Sequence, residues 1–176
     1  MTFFQKLLNM DKQYSERLRV AENPGGLRSL ASLLAHSGDS WLWGVGLALV
    51  WLLGSEYLKQ YAVIMLIGIL LTAVLVFAIK FTVRRRRPAG EWGTVYRKTD
   101  PHSFPSGHAA RAVMLAVVAI GLGPTWFGVV LAIWAPLVML ARVAMGVHYL
   151  SDVIAGALLG LAVGLIGLKF LPLFIA

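Results

Sequence analysis

Lys80 and Arg87-Pro88 close one apolar run of this chain, and Pro105-Ser106-Gly107-His108 opens the next. Arg142, His148 and Asp152 straddle the gap before the last run. The spacings are Lys-x6-Arg-Pro, Pro-Ser-Gly-His and Arg-x5-His-x3-Asp. Together these residue types suit a phosphate. Arginine offers a planar fork of donors and lysine a point charge. A helix starting at Ser106-Gly107 would aim backbone N–H groups at an anion, and a glycine there allows close approach. Two histidines can fill the proton and nucleophile roles of phosphoryl transfer. Asp152, at i+4 from His148, shares its helical face, and a carboxylate on one ring nitrogen leaves the other free to attack. His108 has no acidic partner in its own motif, which suits a general acid for the leaving oxygen.

Each piece has a plainer reading. A His-x3-Asp pair is often an ordinary surface pair. A lysine at a helix end snorkels, an arginine run such as Arg84 to Arg87 signals topology, and Ser-Gly before a helix caps it. The plain readings must hold for all the pieces at once, at these spacings and on one side of a membrane.

The elements that position these residues are membrane helices. The chain has 176 residues, 59% hydrophobic and only 14% charged, against about 25% charged in a soluble domain. The fold class is all-α: a polytopic bundle of about five to six transmembrane helices with an N-terminal amphipathic surface helix. Ser40 to Ser55 is uncharged but short for a span, so either Asp39 or Glu56 stands at an interface or the helix extends back through Leu33-Leu34. Tyr61 to Ile79 supplies 19 uncharged residues, enough to span. Ala112 to Ala141 is broken by Gly121-Leu122-Gly123-Pro124 into a hairpin of two helices, 107–122 and 125–144. Gly156, Gly160 and Gly164 put a small-residue ridge on the last helix, suited to close packing within the bundle or between subunits. Met1 to Arg19 mixes apolar and charged residues without a cleavage pattern and reads as a surface helix. Residues 1–36 form the interfacial segment and 37–176 the transmembrane catalytic domain.

Topology tests the grouping. The chain crosses nothing between Lys80 and His108, twice between His108 and Arg142, and nothing between Arg142 and Asp152. All three clusters therefore emerge on one side, although they were chosen by residue type alone.

With these motifs the chain resembles the type 2 phosphatidic acid phosphatase family, related to vanadium-dependent haloperoxidases. The family signature is Lys-x6-Arg-Pro, Pro-Ser-Gly-His and Ser-Arg-x5-His-x3-Asp. The match runs from Lys80 to Asp152 with one departure, Ala141 in place of the usual serine. The resemblance implies a lipid phosphate phosphatase that needs no cofactor and no metal. By position, His148 corresponds to a nucleophile that forms a phosphohistidine, Asp152 to its orienting carboxylate and His108 to the general acid. Lys80, Arg87, Ser106, Gly107 and Arg142 correspond to phosphate ligands.

Other residues are weighed singly. Arg111, at i+3 from His108, faces the same way one turn deeper; it contacts the headgroup, pairs with a buried acid or snorkels. His102 and Glu91 belong to the polar loop, and His36 and Asp39 to the interface. Trp41, Trp43, Trp51 and Trp126 fit an interface belt.

The expected substrate is a lipid phosphate: phosphatidylglycerophosphate, phosphatidic acid or a polyprenyl diphosphate. Membrane lipids are the surroundings, nucleic acid is not a partner, and the oligomeric state stays open. A phosphotransferase would use the same intermediate, whereas a scaffold or transporter would need neither histidine. The expected location is the cell membrane of a prokaryote. The site's side carries Lys6, Lys12, Arg17, Arg19, Arg28, Arg84 to Arg87, Arg97 and Lys98, against Lys59 and Lys169 opposite. The positive-inside rule therefore places the site in the cytoplasm, while members of the resembled family more often face the exterior or lumen.

Overall fold

Apolar runs punctuated by Gly, Pro and Ser become helices in the computed structural model, which describes residues 2–90, 92 and 100–170. Glu91, Arg97 and Lys98 lie outside those residues. The helices are α1 (Phe3–Arg17), α2 (Gly26–Ser37), α3 (Ser40–Leu53), α4 (Glu56–Val83), α5 (Gly107–Leu122), α6 (Thr125–Ala144) and α7 (Leu150–Phe170). Among the described residues there is no strand beyond one isolated bridge, Arg86 to His102. That bridge and the Ser103 N–H to Arg85 carbonyl bond, 2.8 Å, tie the two ends of the polar loop together.

Among the described residues three helices, α4, α6 and α7, are long and apolar enough to cross a membrane. Helices α3 and α5, of 14 and 16 residues, are apolar but shorter. The expected five spans thus divide into three of full length and two short ones. The shortness of α5 has a physical reason. It is the central helix, sheathed by α4, α6 and α7, with Ala109, Ala110, Ala112, Met114, Leu115, Val118 and Ala119 all buried. A helix surrounded by protein need not match the hydrocarbon thickness. The outer surfaces of α4, α6 and α7 instead present Leu70, Val74, Ile133 and Leu158, all exposed, as a lipid-facing belt.

The glycine ridge of α7 packs inside the bundle. A Cβ at Gly156 would lie 2.4 Å from the Ser106 carbonyl oxygen, and one at Gly160 2.0 Å from that of Ala110. This backbone-to-backbone approach brings the start of α5 against the start of α7, and the Ser106 N–H donates to the Asp152 carbonyl at 2.9 Å. Two of the three motifs are thereby locked together.

α1 begins with a capping box in which Thr2 and Gln5 satisfy each other's backbone N–H groups. Phe3, Leu7, Leu8 and Met10 stay exposed, as an amphipathic surface helix requires. Its other face caps α7. Asp11 accepts from the Ser151 N–H at 3.0 Å and Ser15 Oγ from the Leu150 N–H at 2.9 Å. Trp41, Trp51 and Trp126 are exposed as a belt requires. Trp43 is not: it packs against Trp134, centroids 5.1 Å apart, and donates to the Ser37 carbonyl.

Candidate active site

Lys80, Arg87, Gly107, His108, Arg142 and His148, drawn from all three motifs, line one cavity of about 170 Å³. Lys80 comes from the last turn of α4, which ends at Arg84 in the left-handed conformation (φ 51°) and turns the chain back over the bundle. Gly107 and His108 open α5, Arg142 lies in the last turn of α6, and His148 sits in the short link to α7.

His148 is buried, with 1% exposure. Its Nδ1 lies 2.8 Å from the Ser103 carbonyl oxygen. A carbonyl only accepts, so Nδ1 carries the proton and Nε2 keeps the lone pair. The lone-pair nitrogen lies 3.3 Å from Arg87 Nη1. Burial, then the charges of Arg87, Arg142 and Lys80, hold the His148 pKa well below its ordinary value, against the Ser103 bond. The result is a neutral imidazole among cations.

Asp152, the carboxylate expected to orient His148, lies 3.7 Å from Nδ1, farther than the Ser103 carbonyl that takes its hydrogen bond. Asp152 is fully buried and accepts from Arg85 Nη1 at 2.7 Å and from the Tyr149 N–H at 2.8 Å. Arg85 also reaches Asp11 at 2.7 Å and lies over the Tyr149 ring. Asp152 thus shapes the link that carries His148 and supplies negative charge behind the ring.

Ser106, expected among the phosphate ligands, stands at the start of α5. Its hydroxyl accepts from the Ala109 N–H at 3.4 Å as the N-cap of α5. Arg111 does face the cavity but does not snorkel. It is 6% exposed, and it spends Nε and Nη2 on the Gly38 carbonyl (2.9 and 2.5 Å) and Nη1 on Ser40 Oγ (2.5 Å). It braces the corner between α2 and α3. His102 pairs with Arg86 in the bridge and its ring meets Phe81 edge-on.

Two carboxylates of the site were not singled out in the sequence. Asp100 bridges the cations: it accepts from Lys80 Nζ and, at 2.8 Å, from Arg87 Nη2. Burial raises the Asp100 pKa, but Lys80, with further help from Arg87 and His148, outweighs burial and lowers it. An internal anion therefore holds the cradle. Asp39 was read as interfacial. Its Oδ1 instead lies 2.7 Å from His108 Nε2, and its Oδ2 lies 3.2 Å from His36 Nδ1. No sequence signal marks either residue beyond an acid near a helix end.

A helical membrane protein whose buried cavity joins three fixed cations, a helix start and two histidines is built for phosphoryl transfer at a membrane face. The family model of the PAP2 superfamily matches residues 57–175, so the chain belongs to the PAP2 superfamily. It is 32% identical over 76% of its length to the undecaprenyl-diphosphatase of Sulfolobus acidocaldarius, covering 66% of that protein. It is 30% identical over 96% of its length to a probable lipid phosphate phosphatase beta of Arabidopsis thaliana, covering 92% of it. The fold is also that of a transmembrane PAP2-type phosphatidylglycerolphosphate phosphatase from Bacillus subtilis, with TM-score 0.75 at 21% identity over 94% of this chain and 86% of that one.

Proposed function

We propose that this integral membrane lipid phosphatase acts through His148. Nε2 attacks phosphorus, the N–P bond forms and the P–O bond to the lipid breaks. The departing oxygen takes a proton from His108. Water then gives a proton to the now neutral His108 and attacks the phosphohistidine; the N–P bond breaks, its electron pair returns to Nε2 and inorganic phosphate leaves. Lys80, Arg87, Arg142 and the N–H groups at Gly107 hold the phosphate oxygens; the cations must exchange Asp100 for substrate as it arrives. The observation that carries this reading is the His148 tautomer, whose lone pair stands among the arginine and lysine charges.

The substrate is a phosphomonoester or diphosphate of a lipid. Phe77 lines the cavity and is 54% exposed on α4, so the opening meets the lipid-facing surface. Lipid tails can stay in the bilayer while the phosphate enters sideways. The relatives' names span polyprenyl and phospholipid phosphates, which makes phosphatidic acid, phosphatidylglycerophosphate and a polyprenyl diphosphate the panel to use. The test is phosphate release from that panel by purified protein in EDTA, wild type against His148→Ala. Turnover that vanishes in the variant supports the reading and ranks the substrates. Turnover that survives it removes His148 as nucleophile.

A further inference from the structure

The general acid His108 lacks a partner within its motif, and the fold supplies one from a segment preceding the family match. Asp39 stands at the corner between α2 and α3, 69 positions from His108. The corner is held from several sides. Arg111 of α5 binds the Gly38 carbonyl twice and Ser40 Oγ. Trp134 of α6 donates to Ser37 Oγ at 2.8 Å, and Trp43 to the Ser37 carbonyl at 3.1 Å. Gly38 itself lies so close that a Cβ there would meet the His108 ring and Val138, each at 3.2 Å. The carboxylate is fixed at both oxygens, by His108 and by the half-exposed His36. Contacts from α3, α5 and α6 converge on this corner, residues 36–40, and its carboxylate meets His108 Nε2 with one oxygen and His36 Nδ1 with the other.

From this geometry we infer that Asp39 is a positioning residue for the general acid: it holds His108 by Nε2, directs Nδ1 to the leaving oxygen and stabilises the ring when it carries a proton. The inference rests on the phosphatase reading above. Its physical need is clear from the neighbours. The cavity around His108 holds Arg111 on its own helix, Arg142 from α6 and Lys80 from α4. Without Asp39, a protonated ring would have cations around it and, among the described residues lining the cavity, the Asp100 carboxylate alone to offset them. The Asp39 carboxyl is suited to the task. Burial raises it, but hydrogen bonds and charge from His108 and His36 outweigh burial and bring its pKa down to about 2. Asp39 makes no side-chain cap to α3, so its replacement does not remove a helix cap.

The leaving group separates this role from a structural one. A lipid alcohol is a poor leaving group and needs a proton; p-nitrophenolate does not. First-turnover release should be followed for a lipid phosphate and for p-nitrophenyl phosphate, in wild type, Asp39→Asn and Asp39→Ala. A carboxylate that orients a functional imidazole through its other ring nitrogen is worth about 10- to 100-fold where the imidazole binds a metal, and the same scale is expected here. We expect both variants to lose about that much on the lipid, in kcat with KM little changed, and less than about threefold on the aryl phosphate. An equal loss on both substrates, or no loss on either, would overturn the role for Asp39. Asp39→Glu tests the same point where the other variants misfold: retained preference for the lipid supports the role, and its loss to the Asn level counts against it. If wild-type activity survives His148→Ala, the underlying phosphatase mechanism fails, and that failure is visible without any Asp39 variant.

Discussion

At the residue scale, the site is a contest between anions for a few cations. Asp100 occupies Lys80 and Arg87 before substrate arrives. A charge-assisted pair contributes about 1.5–3 kcal/mol, so removing the competitor should tighten binding of a phosphate-like oxyanion. Asp100→Asn is expected to lower the inhibition constant of orthovanadate about tenfold, equivalent to about 1.4 kcal/mol. Unchanged or weaker inhibition would mean that Asp100 orders the cations and does not compete. The depressed pKa of His148 has its own consequence. The folded value lies below the unfolded value, so the neutral ring persists as pH falls past about 6.5. The stability gained from burying it neutral is present above the unfolded pKa and lost as pH falls through the folded one. The acid limb of kcat/KM, corrected for substrate ionisation, should therefore lie below about 6.5; a limb at or above that value would contradict the buried, cation-flanked ring. The motif residues were legible in the sequence because their spacing is unusual. The carboxylate partners were not, because Asp39 looks like any acid beside a helix and Asp100 like any acid in a polar loop.

At the element scale, the glycines of α7 decide the distance between two motifs. With no Cβ in the way, α7 lies against the α5 backbone and Ser106 bonds to Asp152. Gly160→Ala would place a methyl 2.0 Å from the Ala110 carbonyl oxygen and should cost about 1–3 kcal/mol as overpacking. Gly46→Ala on exposed α3 meets nothing within 4 Å and should leave the midpoint unchanged or slightly raised through helix propensity. Thermal unfolding of the two variants in detergent checks the contrast; a Gly160→Ala midpoint equal to wild type would show that α7 can withdraw without harm. The ridge itself was readable from the four-residue spacing. Its partner helix was not, since that spacing serves an intersubunit contact equally well. The N-terminal surface helix shows the same division. Its amphipathic pattern is local, but the capping of α7 by Asp11 and Ser15 depends on a contact across 140 and 135 positions.

At the scale of the whole molecule, the three motifs meet at one end of the bundle, as counting the crossings required. Charge then orients the bundle. Setting aside Lys80, Arg87 and Arg142, which line the cavity, the site's end still carries Lys6, Lys12, Arg17, Arg19, Arg28 and Arg84 to Arg86, against Lys59 and Lys169 at the other. By the positive-inside rule this imbalance predicts a cytoplasmic site, against the outward side more usual in the resembled family. The chain contains no cysteine, so Ala89→Cys, an exposed position beside the site, makes a single reporter. It should react with an impermeant maleimide only after the membrane is opened; labelling in intact cells would put the site outside.

The sequence by itself determined the helices, the side on which the motifs emerge and the cations and histidines of the site. Those properties follow from hydropathy, helix punctuation and fixed spacings, all of which act over short stretches of chain. The tertiary structure alone decided which group orients each histidine: the Ser103 carbonyl for His148, across 45 positions, and Asp39 for His108, across 69. Hydrogen-bond partners at such separations are chosen by how helices pack, and packing depends on the shapes of all the buried side chains at once.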